Sequence, residues 1–100
     1  MLIDEIHTIR RAGRVPEAIT RCRVLVKREP ENAEPIHLLG LLLSQTGKID
    51  EAVAWLRKSL SLDPSQERYW QNLVAVLMGA GRIAEAHGRS NGTGALLFII

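Results

Sequence analysis

Histidine and cysteine are the residues of this 100-residue chain best suited to chemistry, and they are few. His7 and His37 could begin a metal site, because neutral imidazole is a common metal ligand. A closed site needs four ligands, however, and a catalytic site needs three plus an open position. No carboxylate or cysteine is obviously placed to complete either arrangement. We therefore expect no metal and no cofactor, and two polar histidines whose pKa values lie near neutrality.

Nucleophilic catalysis finds equally little support. Four serines are expected at helix or helix-end positions with no predicted base beside them. These are Ser44, Ser59, Ser61 and Ser65. Cys22 is the single cysteine, which excludes an internal disulfide framework, and a buried apolar role is favoured over redox chemistry. The sequence thus predicts no catalytic residues and a protein that is not an enzyme.

The strongest pattern in the chain is a repeat with a period of 34 residues. Gly13, Gly47 and Gly81 are each followed by a basic residue, a β-branched residue, a variable residue and then Glu-Ala. A fixed period of this length indicates stacked supersecondary units. Such stacks present surfaces far more often than they perform chemistry, so the pattern favours a binding protein.

The middle unit, residues 33–66, resembles a tetratricopeptide repeat. Large, small and turn residues stand at the places that this family uses. They are Ile36, Leu39, Gly40, Leu43, Gly47, Ala52, Leu56, Ser59 and Pro64. The resemblance implies an all-α fold, an α-solenoid of antiparallel helix hairpins with about two and a half repeats. It divides residues 1–90 into units of about 1–32, 33–66 and an incomplete 67–90, followed by an irregular C-terminal tail.

Apolar spacing and helix-end signals predict the helices. Five full helices are expected at about residues 2–12, 16–28, 33–46, 50–62 and 67–80. Gly40 and Ala52 should lie where the two helices of the middle hairpin cross closely, and Trp55 and Trp70 should pack within the hairpins. A sixth helix should begin near Ile83 but remain short, because three glycines follow it and each costs about 1 kcal/mol in a helix interior.

The resemblance also implies a concave groove, formed by the first helix of each unit, that receives peptides. The residues carried onto it are Ile3, His7, Arg10, Glu34, His37, Leu41, Ser44, Arg68, Gln71, Ala75 and Met78. This mixture suits an extended or helical segment with apolar anchors and acidic groups for Arg10 and Arg68. The implied function is a non-catalytic protein–protein interaction module whose partner is a protein or peptide.

One specificity known in this family is not expected here. Members that bind chaperone tails hold a C-terminal carboxylate with a clamp of lysines, asparagines and an arginine. The clamp's places are taken by Ile3, His7, Leu38, Arg68 and Asn72. Apolar Ile3 and Leu38 cannot donate hydrogen bonds, so a chaperone tail is not the expected partner.

A second hypothesis makes the chain part of an enzyme. Residues 37–42 resemble repeats found ahead of bacterial glycosyltransferase and sulfotransferase domains. On this alternative the chain is the N-terminal, substrate-recruiting repeat region of such a larger enzyme. A reading frame that continues past Ile100 into an α/β domain would favour it.

Charge and hydropathy narrow the class of partner. The net charge is +2, and the arginines of the first thirty residues are expected on a solvated helical surface. Aromatic residues make up 4% of the chain, too few to suggest base stacking, so no nucleic-acid partner is expected. Asp4 and Glu5 interrupt the only apolar start, and the apolar runs 38–43 and 95–100 fall short of the ~20 residues that span a bilayer. We therefore expect a cytoplasmic protein with no membrane contact.

The last residues, 95–100, read Ala-Leu-Leu-Phe-Ile-Ile, an uncharged run of a kind prone to strand pairing. Repeat stacks normally end in a polar-faced capping helix. Either this chain is a truncated or frame-shifted piece of a longer repeat protein, or the run covers the last unit as a cap. Truncation is favoured, with residues 91–100 poorly ordered. Self-association through the uncapped C-terminal face is a further expectation.

Overall fold

The computed structural model describes residues 3–81, which form five α-helices joined by short turns. The helices are α1 (Ile3–Arg11), α2 (Val15–Arg28), α3 (Ala33–Gln45), α4 (Ile49–Leu62) and α5 (Glu67–Gly79). Residues 3–81 contain no strand. Each helix begins and ends within one residue of its predicted bounds, so the all-α expectation is confirmed. The predicted sixth helix and the predicted tail of residues 91–100 lie outside the described residues.

The turns that close the hairpins use left-handed glycines. Gly13, Gly47 and Gly81 have φ angles of 82°, 83° and 77°, a region that favours glycine because it has no Cβ. At the end of α3 the Lys48 N–H donates to the Leu43 carbonyl at 3.1 Å, and the Gly47 N–H donates to Ser44 at 3.2 Å. These two bonds form a Schellman motif, which satisfies carbonyls that a helix end leaves free. The repeated glycine thus ends the first helix of each unit.

Helix α3 is the centre of the stack. Eight of its residues are buried, and it packs against α2, α4 and α5. Its apolar residues therefore lie on most faces, as the sequence predicts for a helix clamped between neighbours. A Cβ atom built on Gly40 would lie 2.7 Å from Leu56 Cγ and 3.1 Å from the Ala52 carbonyl oxygen. The predicted close crossing of α3 and α4 at Gly40 and Ala52 is confirmed.

Two hydrophobic clusters carry the packing. The first is built mainly on α2 and α3, with Ile6 of α1 and Ala52 of α4. The second joins Val53 and Leu56 to α5. Trp55 packs against the first cluster and Trp70 against the second, so the expectation that both tryptophans serve packing is confirmed. Asn32 caps the N-terminus of α3, because its side chain accepts a hydrogen bond from the Glu34 N–H at 3.2 Å.

Candidate functional site

A cleft of about 200 Å³ lies between the first helices of the three units, α1, α3 and α5. Eight residues line it, and we call it the first-helix groove. They are His7, Arg10, Glu34, His37, Leu38, Leu41, Arg68 and Asn72. Six of these belong to the set predicted from the sequence, so residues separated by up to two repeats come together on one surface. Whether that surface binds a peptide stays a prediction.

The other predicted groove residues lie elsewhere. Ser44 is half-buried and its hydroxyl donates to the Leu41 carbonyl oxygen at 2.7 Å, so the side chain is turned along its own helix. Gln71, Ala75 and Met78 are exposed on α5, outside the lining of the groove. Ile3 is half-buried and packs against the first hydrophobic cluster. The groove is therefore shorter than the predicted surface.

Leu38 and Asn72 also line the groove, and the sequence analysis named both only as residues at the places of the carboxylate clamp. Leu38 is buried, and it follows His37 directly in α3. Asn72 comes four residues after Arg68, so the two side chains share one face of α5.

His37 is buried in the structure, whereas the sequence analysis expected a polar groove residue. Its side chain is only 4% exposed, and its ring stacks on Tyr69 with centroids 4.3 Å apart. Burial, with a smaller contribution from the positive charge of Arg68, lowers the pKa of His37 from 6.5 to about 4. The expectation of a pKa near neutrality is therefore wrong for this residue, because Tyr69 of the next repeat covers a ring that the sequence places on a polar groove. His37 is neutral at physiological pH.

A hydrogen bond sets the proton position on this neutral ring. The Asn72 side-chain nitrogen Nδ2 lies 2.9 Å from His37 Nε2. An amide nitrogen can only donate, so Nε2 accepts and the ring proton resides on Nδ1. His37 Nδ1 is buried and has no hydrogen-bond partner among the residues that the structure describes. His37 thus contributes a neutral ring whose Nδ1 is enclosed by the surrounding packing.

The charged side chains of the groove are more exposed. Arg68 Nη2 lies 3.8 Å from Glu34 Oε2, and both side chains are about half exposed, so this ion pair contributes little to stability. The Arg68 guanidinium also lies 5.4 Å from the centroid of the Tyr69 ring. With Arg10 at the other side and Glu34 as the one carboxylate, the charged lining carries an excess of positive charge. Such a surface attracts acidic groups.

A larger cleft, of about 470 Å³, opens on the other side of α3. We call it the second-helix cleft, because α2 and α4 form its walls and Leu39 of α3 lies between them. Its lining is Thr20, Arg23, Val24, Val26, Lys27, Leu39 and Trp55. Arg23 Nη2 is 2.8 Å from Glu51 Oε2 and ties α2 to α4. The sequence analysis missed this cleft, and in the structure Val24 of its lining is 45% exposed.

Cys22 and Ser59, which were considered for catalysis from the sequence, make hydrogen-bond contacts within the packed helices. Cys22 is buried and its thiol lies 3.2 Å from the Pro35 carbonyl oxygen. Ser59 is buried and donates to the Leu56 carbonyl oxygen at 2.7 Å. Within residues 3–81 no three His, Cys, Asp or Glu side chains are grouped in a way that could hold a metal ion.

Comparison with known proteins agrees with the helix pairs and their glycine turns. The tetratricopeptide repeat pattern matches residues 10–77, which is more than half of the chain. The chain belongs to the tetratricopeptide repeat family. It is also similar to the probable biofilm formation methyltransferase WspC of Pseudomonas putida, with 29% identity over 85 residues. That match covers 85% of this chain and 20% of the relative, so the chain spans about a fifth of that protein's length.

None of α1 to α5 is both long enough and apolar enough to cross a bilayer.

Proposed function

We propose that the chain is a non-catalytic protein–protein interaction module that binds a peptide segment or partner protein in the first-helix groove. The observation that carries the proposal is the convergence of His7, Arg10, His37 and Arg68 from three repeats on one groove. Repeats of this family typically bind proteins or peptides, and rigid helices hold the lining in place without a ligand.

The chemistry of the groove describes the ligand. Leu38 and Leu41 offer apolar contact, while Arg10 and Arg68 offer charge to acidic side chains. A segment with an apolar anchor beside an aspartate or glutamate would satisfy both. At a volume of about 200 Å³ the groove accommodates a few side chains, so we expect the affinity to be moderate.

A peptide selection tests the proposal. A random peptide library displayed on phage is selected against the whole chain, and binding of recovered peptides is measured by titration calorimetry. Arg68→Glu should weaken an acidic peptide by about tenfold or more, because a favourable charge contact becomes repulsive. Lys27→Glu is the matched control: it reverses one exposed charge in the second-helix cleft and should leave binding unchanged. Circular dichroism verifies that both variants keep their helix content.

The same variants distinguish the two faces. A peptide or partner that crosslinks only to α2 and α4, and that loses affinity with Lys27→Glu but not with Arg68→Glu, would contradict the proposed groove. The second-helix cleft would then be the binding surface.

A second candidate function is that the repeats recruit substrate for a larger enzyme. The similarity to WspC favours this class, since the 85 matched residues are 20% of that relative and it is named a methyltransferase. The name of that relative mentions neither glycosyl transfer nor sulfuryl transfer, the two activities suggested by residues 37–42. Sequencing the reading frame beyond Ile100 tests the candidate: an α/β domain in the same frame would support it.

Self-association is a third mode that the proposal includes. Met78 is 51% exposed near the end of α5, which supports the proposal of an apolar contact with a second copy. Sedimentation velocity of the whole chain and of Met78→Lys tests this mode. A concentration-dependent dimer that the variant abolishes supports it, and a monomer at every concentration opposes it.

A further inference from the structure

We propose that the second-helix cleft binds a small organic carboxylate with an apolar body, and that Lys27 pairs with the carboxylate group. The second-helix cleft and the first-helix groove share no lining residue, and they open on different sides of α3. The inference therefore does not depend on the proposed function. It assigns a ligand of a different class to the larger of the two clefts.

The size of the cleft and its place in the fold suit such a ligand. Its volume of about 470 Å³ lies within the range of about 300–1,000 Å³ that is usual for small-molecule sites, which often form between packed helices. Arg23 of α2 and Glu51 of α4 join the two walls by an ion pair of 2.8 Å. The space therefore exists before a ligand arrives, which reduces the entropy lost on binding.

The walls of the cleft offer apolar surface from two facing helices. Val24 of α2 is 45% exposed, and Trp55 of α4 is half-buried. Leu39 of α3 is fully buried and lies at the base. A ligand that covers Val24 and the indole of Trp55 removes apolar area from water, which is the main favourable contribution to binding. The flat indole suits a flat or extended apolar body.

The charge of the lining selects an anion. The lining contains two cations, Arg23 and Lys27, and no carboxylate. Arg23 is paired with Glu51, whereas the exposed Lys27 makes no hydrogen bond or ion pair with another side chain within residues 3–81. A cation beside an apolar surface complements a ligand that is apolar at one end and negative at the other. The flexible stem of lysine allows its ammonium group to meet the carboxylate.

The backbone around the cleft favours a small molecule over an extended peptide. Thr20, Val24 and Trp55 lie inside α2 and α4, away from the helix ends. Their backbone groups are therefore used within the helices. An extended peptide gains much of its affinity from main-chain hydrogen bonds, and these walls offer it side chains only. A ligand without a peptide backbone loses nothing by this.

Nuclear magnetic resonance titration of the whole chain tests the site. Naphthoate is the probe, because it joins a flat apolar body to a carboxylate, and naphthamide is the uncharged control of the same shape. Naphthoate should shift the indole N–H signal of Trp55 and amide signals of α2 and α4, with a Kd of about 0.1–1 mM. Naphthamide should bind at least about fivefold more weakly. Trp70→Phe identifies which indole signal belongs to Trp55.

Three variants separate the contributions of charge and apolar contact. Lys27→Glu should weaken naphthoate by about tenfold and leave naphthamide unchanged, because only the carboxylate meets the reversed charge. Val24→Ser should weaken both ligands by about threefold, since both lose the same apolar contact. Arg68→Glu reverses a charge in the first-helix groove and is the control that should change neither. All three positions are exposed, and circular dichroism verifies the helix content of each variant.

Each possible result decides the inference. Naphthoate that binds more tightly than naphthamide, and that loses this advantage in Lys27→Glu, supports it. Equal binding of the two ligands, no effect of Lys27→Glu, or no shift of the Trp55 indole at 5 mM naphthoate would overturn it. Shifts confined to α1, α3 and α5, together with a loss of binding in Arg68→Glu, would move the ligand to the first-helix groove. Displacement of naphthoate by a peptide from the phage library would make the cleft a peptide site.

Discussion

A Cβ atom at Gly40 would lie 2.7 Å from Leu56 Cγ, so helices α3 and α4 cross where one side chain must be absent. This distance is shorter than carbon atoms tolerate without moving, and the Ala52 carbonyl oxygen lies 3.1 Å away on the same side. The middle hairpin therefore depends on a glycine in a helix interior, where glycine is otherwise unfavourable.

Gly40→Leu should lower the free energy of unfolding by about 1–3 kcal/mol, because the added side chain forces α3 and α4 apart. Ala52→Leu, on the facing helix, should act in the same direction. Gly79→Ala is the control, since a Cβ there meets no atom within 4 Å and alanine favours helix. Urea unfolding followed by circular dichroism measures all three, and unchanged midpoints for Gly40→Leu and Ala52→Leu would show that the crossing tolerates bulk.

Substitution at the turn glycine should be costly for a different reason. Gly47 has a φ of 83° with open space around it, so Gly47→Ala introduces backbone strain and no clash. The expected loss is about 1–2 kcal/mol, the usual penalty for a left-handed L-residue. Gly47→Asn should lose less, because asparagine adopts this region more readily. Thermal unfolding checks the order, and equal melting temperatures for wild type and Gly47→Ala would contradict it.

The free energy of unfolding should decrease as the pH is lowered through the range in which His37 titrates. Its pKa is about 4 in the folded chain against an ordinary 6.5. Between these values the unfolded chain binds a proton at residue 37 that the folded chain does not, so the free energy of unfolding decreases as pH falls from 6.5 to 4. The full difference corresponds to about 3 kcal/mol.

His37→Phe should remove this part of the pH dependence, since phenylalanine cannot titrate. Other titrating groups remain in both proteins and supply a shared background. Urea unfolding at pH 4, 5, 6 and 7 measures the two slopes. Parallel slopes for wild type and His37→Phe would show that the ring is not kept neutral by the fold.

Cys22 should be unreactive in the folded chain. Burial raises the pKa of its thiol to about 12, and the side chain is fully buried beneath Pro35. Thiolate is the reactive form, so a disulfide reagent at pH 8 should modify Cys22 only as fast as the chain opens. Adding urea should accelerate the reaction to that of a free cysteine. Rapid modification in buffer alone would mean that α2 and α3 separate readily.

The helices could be predicted from the sequence because their determinants are local. The 34-residue spacing of Gly13, Gly47 and Gly81 marks the end of each first helix, and the apolar pattern between them marks the buried faces. The family's own pattern then places small residues at the helix crossing. Period and pattern together were sufficient for the bounds of α1 to α5.

The groove was predicted only in part, because its depth depends on contacts between repeats. His37 lies on the polar face of α3, and only packing of α5 brings Tyr69 over its ring and Asn72 to its nitrogen. The second-helix cleft likewise exists because α2 and α4 stand apart over Leu39. By itself the sequence determined which segments are helical and which faces are apolar. Only the tertiary structure decided which polar side chains are buried, because the neighbours that cover them are 30 or more residues away along the chain.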